Sequence, residues 1–255
     1  MKITVIIPAL NEAEAIVGVV GSIPNFVDRI IVVDNGSTDG TGDLARDAGA
    51  DVVYVEKPGY GRSCLAGIAA GEGTDVFVFM DGDGADVPSD MSAILNPILN
   101  GDIDFVVGSR ISGDVERGAL TTTQRFGNTL ACFLMRIIWR GSFTDLGPFR
   151  AISAKALDSL SMAAPTFGWT IEMQVRALKR GLTYAEVPVQ YRRRIGVSKI
   201  SGTVKGVISA GVFILGVIAR EALFDCSSSR YLRNNEKSSD STDTRFSVPE
   251  NDSSP

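Results

Sequence analysis

The chain has 255 residues and a formal net charge of −5, a length that suits one large α/β domain with a sizeable core and falls short of two ordinary domains. It contains no histidine, so chemistry that needs an imidazole base, a histidine-ligated metal or a Ser–His pair is excluded and carboxylates must do such work. The cysteines, Cys64, Cys132 and Cys226, lie far apart, which fits neither a disulfide framework nor a paired metal motif and favours a reducing cytoplasm.

Short apolar runs rich in Val, Ile and Phe recur through the first half of the chain. They are typical of buried strands, which we expect at residues 2–7, 29–34, 52–55, 75–80 and 103–108. The first run begins at once, which predicts a buried strand and not a signal peptide. Helical patterns lie between the runs, such as residues 12–22 after the cap Asn11 and residues 41–48. This alternation predicts an α/β fold with a mostly parallel sheet flanked by helices.

The polar residues that follow the predicted strands indicate a ligand site, because such sheets bind ligands at the carboxyl ends of their strands. The strongest signal is at residues 76–86, where an apolar strand leads to Asp81 and Asp83 with glycines around them. Hard divalent ions take oxygen ligands and keep positions open for phosphate oxygens. The pattern therefore predicts that Asp81 and Asp83 hold Mg²⁺ or Mn²⁺ bridging a diphosphate. An Asp- and Gly-rich turn is the alternative, and a calcium loop does not fit because Ala85 occupies a ligand position.

A weaker signal is the glycine-rich stretch at residues 59–62, which follows the third predicted strand. It superficially resembles a dinucleotide-binding fingerprint, but that motif belongs after a first strand and has different spacing. We include Gly61 among the candidate cofactor-binding residues on this basis.

Charge is divided unevenly between the two halves of the chain. Residues 1–109 carry 17 acidic and 5 basic side chains, whereas residues 110–220 carry 6 and 16. Chance distribution of surface charge is one explanation. The segregation favours a first half built around a cation and a second half that faces anions. In the second half the regular alternation ends, and we expect a basic loop at 110–125, helices at 126–139 and 170–180, and a strand at 184–191.

The C-terminal region differs in composition from the rest. Residues 206–219 are uncharged and lie between Lys205 and Arg220. As a helix they would span about 21 Å, short of the roughly 30 Å hydrocarbon core of a bilayer. An in-plane surface helix is the favoured interpretation, with a core helix and deeper insertion as alternatives. Residues 226–255 hold nine serines and few apolar residues, which predicts a disordered tail.

Five motifs in order together resemble those of family 2 glycosyltransferases: Pro8-Ala-Leu-Asn-Glu12, residues 33–41, Asp81-Gly-Asp83, Gly108-Ser-Arg110 and residues 197–201. Within the family the chain is similar to the dolichol-phosphate mannosyltransferases and their bacterial polyprenyl-phosphate relatives over roughly residues 2–220. The resemblance implies a GT-A (Rossmann-like) fold and inverting transfer of a hexosyl group from a GDP- or UDP-sugar to polyprenyl or dolichyl phosphate. The apolar segment at 206–219 with its basic ends predicts peripheral association with the cytoplasmic face of the membrane and a cytosolic tail, and we expect no nucleic-acid partner. The expected domains are 1–201, with a donor half to residue 109 and an acceptor half from 110, a membrane-associated helix at 202–225, and the tail.

The resemblance also implies roles for individual residues. The base and ribose pocket would be lined by Pro8, Leu10, Glu12, Asp34 and Asn35, and the diphosphate and metal would contact Asp81, Gly82 and Asp83. The phosphates of donor and acceptor would lie near Arg110, Arg125, Arg192, Arg194 and Lys199. The chain departs from relatives at two positions. Ala85 stands where Gln is frequent, so water or Asp86 must complete the metal site, and Asn35 replaces a second Asp, which leaves the base open.

The mechanism depends on the acceptor. A phosphomonoester has a second pKa of about 6, so a phosphate acceptor is largely dianionic at neutral pH and needs no strong base. A hydroxyl acceptor would need one, and Asp145 or Glu172 is then the candidate, unless these residues are structural partners of Arg150 and Arg176. The candidate catalytic residues are therefore Asp83, Arg110, Asp145 and Glu172. A nucleotidyltransferase is disfavoured because residues 8–12 are not a Gly- and Lys-rich loop, and a non-catalytic nucleotide-sugar binder is the remaining alternative.

Overall fold

A computed structural model describes residues 1–196 and 215–223. The chain divides into two units, Met1–Ile218 and Ala219–Pro255. Of the second unit, residues 219–223 are described, and they are helical. Lys199, the motif at 197–201, most of the helix predicted at 202–225 and the whole tail at 226–255 lie outside the described residues. No helix within the described ranges is long and apolar enough to cross a membrane.

The first unit is built from strands that alternate with helices up to its fifth strand. The strands are β1 (Ile3–Ala9), β2 (Arg29–Asp34), β3 (Asp51–Tyr54), β4 (Val76–Phe79), β5 (Phe105–Ser109), β6 (Arg150–Ser153) and β7 (Tyr184–Pro188). The helices are α1 (Ile16–Gly21), α2 (Thr41–Asp47), α3 (Tyr60–Ala70), α4 (Met91–Leu99), α5 (Thr122–Trp139), α6 (Ala154–Leu160) and α7 (Trp169–Arg180).

The strands form one seven-stranded sheet in the order β3-β2-β1-β4-β6-β5-β7. All pairings are parallel except those of β6, which runs antiparallel to both β4 and β5. The chain builds outward from β1 through β2 to β3 and then returns to place β4 on the other side of β1. A crevice therefore opens between the carboxyl ends of β1 and β4, the position where open α/β sheets bind ligands.

Two apolar layers cover the faces of the sheet, and the period-two alternation of strand side chains divides residues between them. Ile6 of β1 packs into the layer formed with α3, α5, α6 and α7, whereas Val5 and Ile7 pack into the layer formed with α1, α2 and α4. All seven residues of β1 are buried, as predicted for a strand covered on both faces. The sheet thus gives the loops at its carboxyl edge a rigid base.

The five predicted strands and the mostly parallel sheet are confirmed, with local corrections. β3 is an edge strand with Asp51 and Tyr54 exposed, not a strand buried on both faces. Helix α5 starts four residues before the predicted residue 126, because Thr121 and Gln124 form a reciprocal capping box. The last strand ends at Pro188 because its partner β5 ends at Ser109. The antiparallel strand β6 was not predicted.

Candidate functional site

A cleft of about 820 Å³ opens at the carboxyl edge of the sheet. It is bounded by the loops after β1 and β4, the start of α3, the first turns of α5 and the segment around residues 191–194. Of the residues predicted from the sequence, it is lined by Pro8, Leu10, Glu12, Asn35, Asp81, Gly82, Asp83, Arg110 and Arg194. Residues far apart in the chain therefore share one site, and the β1–β4 crevice forms its floor.

The loop after β1 is fixed by hydrogen bonds to the loop after β2. Asn11 adopts a left-handed backbone conformation with φ of 52°, and its Oδ1 accepts a hydrogen bond from the Thr38 backbone N at 2.8 Å. The backbone N of Glu12 donates to Thr41 Oγ1 at 2.9 Å. Asn35 joins the next loop, since its Oδ1 accepts from the Gly59 backbone N at 2.8 Å. These bonds hold the lining residues of this side in place before any ligand arrives.

The loop after β4 gathers carboxylates around a tight turn. Asp83 Oδ1 accepts from the Ala85 backbone N at 2.9 Å, and Gly84 occupies the left-handed region with φ of +74°. Asp86 turns back so that its Oδ2 accepts from the Asp81 backbone N at 3.0 Å. Its other oxygen, Oδ1, is buried without a hydrogen-bond partner. The loop therefore contains one buried carboxylate oxygen, Asp86 Oδ1, for which the protein supplies no hydrogen-bond partner.

Negative charge in this loop is incompletely compensated. Burial and the nearby charge of Asp83 raise the pKa of Asp81 to about 7. Burial and the charge of Asp81 raise the pKa of Asp86 well above its usual range. A divalent cation would relieve this repulsion, and carboxylate oxygens are the ligands such ions prefer, so the residues present fit one. Among the described residues no three carboxylate or thiol side chains form a complete metal cage, so donor phosphate or water would have to complete the coordination.

The segment after β7 lies along this loop and brings a basic side chain into the cleft. The Arg192 backbone N donates to the Ala85 carbonyl, and the Ile195 backbone N to the Asp83 carbonyl, both at 2.9 Å. Between them Arg194 projects across the crevice, where its Nη2 lies 2.9 Å from Glu12 Oε1 and its Nη1 3.4 Å from Asp83 Oδ2. One guanidinium therefore joins the β1 loop to the β4 loop.

Arg110 lines the cleft but is tied to Asp145 by a two-pronged ion pair. Its Nε and Nη2 lie 2.8 and 2.7 Å from the two carboxylate oxygens, and its backbone N donates to the same carboxylate at 2.7 Å. The guanidinium also lies over the Tyr191 ring at 5.0 Å. Asp145 has no exposed side-chain surface. Its oxygens are therefore committed to Arg110, and Arg110, not Arg150, is its partner.

Glu172, the other candidate base, is also buried and engaged. It pairs with Arg176 at 3.0 Å, as the structural alternative predicted, and its Oε2 accepts from the backbone N of Ala163 and Ala164 at 3.1 and 2.7 Å. Arg150 is fully buried and donates to the carbonyl oxygens of Leu146, Gly147 and Thr170. Neither carboxylate lines the cleft, whereas a general base must come within hydrogen-bond reach of the acceptor.

Several predicted site residues lie outside the cleft. Asp34 is 4 % exposed, and its Oδ1 accepts from the Ser37 backbone N, so it shapes the loop after β2. Gly61 allows close packing of α3, since a Cβ there would collide with the Ala164 carbonyl oxygen. Arg125 is exposed on α5, and Arg192 lines a separate depression of about 310 Å³. The structure gives Gly61 a packing contact, and its assignment as a cofactor-binding residue stays a prediction.

Helix α5 carries an exposed apolar face that was not predicted from the sequence. Phe126, Phe133 and Ile137 are 68 %, 56 % and 62 % exposed, and with Leu130 they form one stripe opposite the side that packs on the core. Phe126 and Leu130 also line the cleft, which is apolar on this side. The spacing 126, 130, 133 and 137 is helical and was readable from the sequence. The sequence does not show that the opposite face of α5 is the one buried against the core, so that the Phe126–Ile137 face is exposed.

Comparisons with known proteins agree with this architecture. Residues 4–161 match the family model described as glycosyl transferase family 2. Glycosyltransferase AglJ of Haloferax volcanii is 32% identical over 194 residues, which are 75% of this chain and 63% of that protein, so the chain spans less than two thirds of AglJ. Polyprenol monophosphomannose synthase of Mycolicibacterium smegmatis is 33% identical over 218 residues, covering 78% of this chain and 81% of that protein.

A solved structure is similar as well. The crystal structure of glucosyl-3-phosphoglycerate synthase from Mycobacterium tuberculosis, in complex with Mn²⁺, uridine-diphosphate and glucosyl-3-phosphoglycerate, has a TM-score of 0.71 at 26% identity. The match covers 87% of this chain and 80% of that one. The predicted GT-A-type arrangement of a mostly parallel sheet with flanking helices is thereby confirmed. The chain belongs to glycosyltransferase family 2.

Proposed function

We propose that this enzyme transfers a hexosyl group, with inversion, from a GDP- or UDP-sugar to a polyprenyl or dolichyl phosphate. The observation that carries the proposal is that one cleft joins the carboxylates after β4 to the apolar stripe of α5. A nucleotide sugar needs the first of these surfaces and a prenyl chain the second. A similar protein is named a polyprenol monophosphomannose synthase, which supports this acceptor class.

On the donor side, Pro8, Leu10, Glu12 and Asn35 would bind the base and ribose. Asp81 and Asp83 would hold Mg²⁺ or Mn²⁺ against the diphosphate, a role supported by Mn²⁺ together with uridine-diphosphate in the similar crystal structure. Such an ion neutralises charge on the leaving nucleoside diphosphate. The loops after β1 and β4 would position the donor in the cleft that α5 lines on its other side.

On the acceptor side, a dianionic phosphate would attack the anomeric carbon without help from a protein base. The engagement of Asp145 with Arg110 and of Glu172 with Arg176 supports this choice, because a hydroxyl acceptor would need a carboxylate with access to the cleft. The Arg110 guanidinium lines the cleft and would hold the phosphate, with Asp145 fixing its orientation. The prenyl chain would leave along Phe126 and Leu130.

We place the enzyme on the cytoplasmic face of the membrane, attached peripherally through apolar surface. The exposed stripe of α5 supports attachment, since contiguous exposed apolar side chains mark interaction surfaces. In this proposal residues 1–109 form the donor half, 110–201 the acceptor half and 202–225 a further membrane-associated helix, with 226–255 as a tail in the cytosol.

The test is a panel of GDP- and UDP-sugars offered with polyprenyl phosphate or with the corresponding free polyprenol. Glycolipid should form with one donor and with the phosphate, at least about 100-fold faster than with the alcohol, because only the phosphate brings its own charged nucleophile. Equal transfer to the alcohol would contradict the proposed acceptor and return Asp145 or Glu172 to the role of base. Transfer to a saccharide, with no transfer to polyprenyl phosphate or to polyprenol, would also contradict the proposed acceptor.

A further inference from the structure

Arg194 is the side chain that crosses the crevice between the two ligand-binding loops. It is 29% exposed, while its partners Glu12 and Asp83 are 10% and 8% exposed, so the pairs are largely shielded from solvent. The two contacts are unequal. Nη2 lies 2.9 Å from Glu12, within hydrogen-bond distance, and Nη1 lies 3.4 Å from Asp83. The guanidinium is thus anchored on the β1 loop and leans toward the β4 loop.

We infer that the Arg194 guanidinium occupies part of the metal site in the metal-free enzyme, where it pairs with Asp83. When a divalent metal binds, Arg194 releases Asp83 and retains its ion pair with Glu12. The inference rests on the proposed function in taking Asp83 as a metal ligand. A guanidinium and a divalent ion that share one carboxylate repel each other in a shielded site, so metal binding at Asp83 favours release of the longer Arg194–Asp83 contact.

The local contacts determine which atoms move. Backbone hydrogen bonds at Arg192 and Ile195 tie the segment to the β4 loop, so the side chain can swing while its main chain stays. The Arg194 Nε is buried without a hydrogen-bond partner, so the present pose leaves a donor unsatisfied. A pose that releases Asp83 therefore gives up one long contact and retains the shorter one to Glu12.

Release of Arg194 from Asp83 would couple metal binding on the donor side of the cleft to phosphate binding on the acceptor side. Arg194 belongs to the second half of the chain and lines the cleft. Once it leaves Asp83, its charge becomes available to an anion that enters from the α5 side. Metal binding thereby frees one edge of the Arg194 guanidinium for the acceptor phosphate, while the other edge stays on Glu12.

The first experiment measures Mn²⁺ binding to the full chain without donor or acceptor, by the electron paramagnetic resonance signal of free Mn²⁺. Arg194→Gln should bind Mn²⁺ about five- to tenfold more tightly than the unaltered chain, since it removes a partly shielded competing charge. Arg194→Met serves as a second neutral variant should the first fold poorly. The matched control is Arg193→Gln. This neighbouring arginine is 64% exposed and pairs with Glu116, so its loss should leave the affinity unchanged.

The second experiment observes the guanidinium itself through phenylglyoxal labelling mapped by mass spectrometry. Mn²⁺ should increase labelling of Arg194 several-fold and leave Arg193 unaltered. Equal Mn²⁺ affinity in the Arg194 variants and the unaltered chain, or labelling of Arg194 that Mn²⁺ does not change, would overturn the inference while leaving the proposed reaction standing. Absence of Mn²⁺ binding to every variant would overturn the inference but not the proposed reaction, in which donor phosphate completes the metal coordination. Tighter binding by Arg194→Gln with no glycolipid formed by the unaltered enzyme would support the inference and reject only the proposed acceptor.

Discussion

The two sides of the cleft use charge in opposite ways. On the β4 side, Asp81, Asp83 and Asp86 crowd together, which with burial raises the pKa of Asp81 and Asp86, and one oxygen of Asp86 has no hydrogen-bond partner. On the other side, Arg110 is held by Asp145 through both prongs of its guanidinium. The β4-loop carboxylates are therefore suited to bind a cationic ligand, whereas most of the charge of Arg110 is neutralised by Asp145 within the protein.

The excess of basic residues in the second half therefore gives less free positive charge than the count suggests. Arg176 pairs with Glu172, Arg193 with Glu116, and Arg150 donates to backbone carbonyls. What the second half adds to the cleft is mostly apolar surface, with Arg110 and Arg194 at its boundary. A charge count predicts the sign of the field around a region, but geometry decides which cations remain for a ligand.

If the carboxylates after β4 bind ligands and contribute little to folding, neutralising one of them should lower the turnover rate without lowering the melting temperature. Asp83→Asn should lower turnover about 100- to 1000-fold, the usual size of losing one electrostatic element of an active site, with a nearly unchanged melting temperature. Release of nucleoside diphosphate in Mg²⁺ or Mn²⁺, compared with excess chelator, measures it. The control is Asp47→Asn, an exposed carboxylate at the end of α2. Full activity of the unaltered enzyme in chelator would contradict the assignment.

The buried ion pair should behave in the reverse manner. Asp145→Asn should lower the free energy of unfolding by about 3 kcal/mol, because Arg110 would be left buried with its main partner neutralised. Urea denaturation measures this loss. The double variant Arg110→Met with Asp145→Leu should recover most of the stability while remaining inactive. A base role for Asp145 predicts instead a stable single variant whose residual activity has lost its pH dependence.

The donor edge was largely predictable because chain order and spatial order coincide there. Parallel strands bring their carboxyl ends to one edge, so the motifs at residues 8–12 and 81–83 had to meet once the strands were recognised. The glycines and aspartates of the β4 loop could be interpreted from local rules alone. The role of Asp34 in the base and ribose pocket stays a prediction, because the residue begins the expected loop but one of its carboxylate oxygens accepts a hydrogen bond within that loop.

The second half was less predictable because its partners are distant and depend on packing. Arg110 and Asp145 are 35 residues apart, and Arg194 and Glu12 are 182 apart, with no periodicity to relate them. Gly61 shows the same limit. Its neighbour Ala164 comes from a different part of the chain, so the packing contact of this glycine could not be predicted from the sequence.

That packing contact predicts a loss of stability intermediate in size. Gly61→Ala should destabilise the fold by about 2 kcal/mol, in the range for overpacking a well-filled contact, because the new Cβ would press on the Ala164 carbonyl. Gly18→Ala is the matched control. Nothing lies within 4 Å of a Cβ at that exposed position of α1, so it should stabilise the enzyme by about 0.5–1 kcal/mol. Equal melting temperatures for the two variants would contradict the packing role.

The smallest effect should come from a substitution in the apolar stripe of α5, because it alters neither the core packing nor the residues that line the cleft. Phe133 is 56 % exposed on α5 and does not line the cleft, so Phe133→Ser should leave the melting temperature and the binding of nucleotide unchanged. If the stripe rests on lipid, the variant loses about 1 kcal/mol of apolar burial, or about fivefold in binding to vesicles that contain polyprenyl phosphate. Transfer to a short, water-soluble prenyl phosphate should not change, because the cleft itself is intact.

The control is Phe26→Ser, which alters a side chain that is 48 % exposed, lies outside α5 and does not line the cleft. Equal vesicle binding by both variants would mean that the α5 stripe does not face the membrane, and the difference between the two halves would then lie in charge alone.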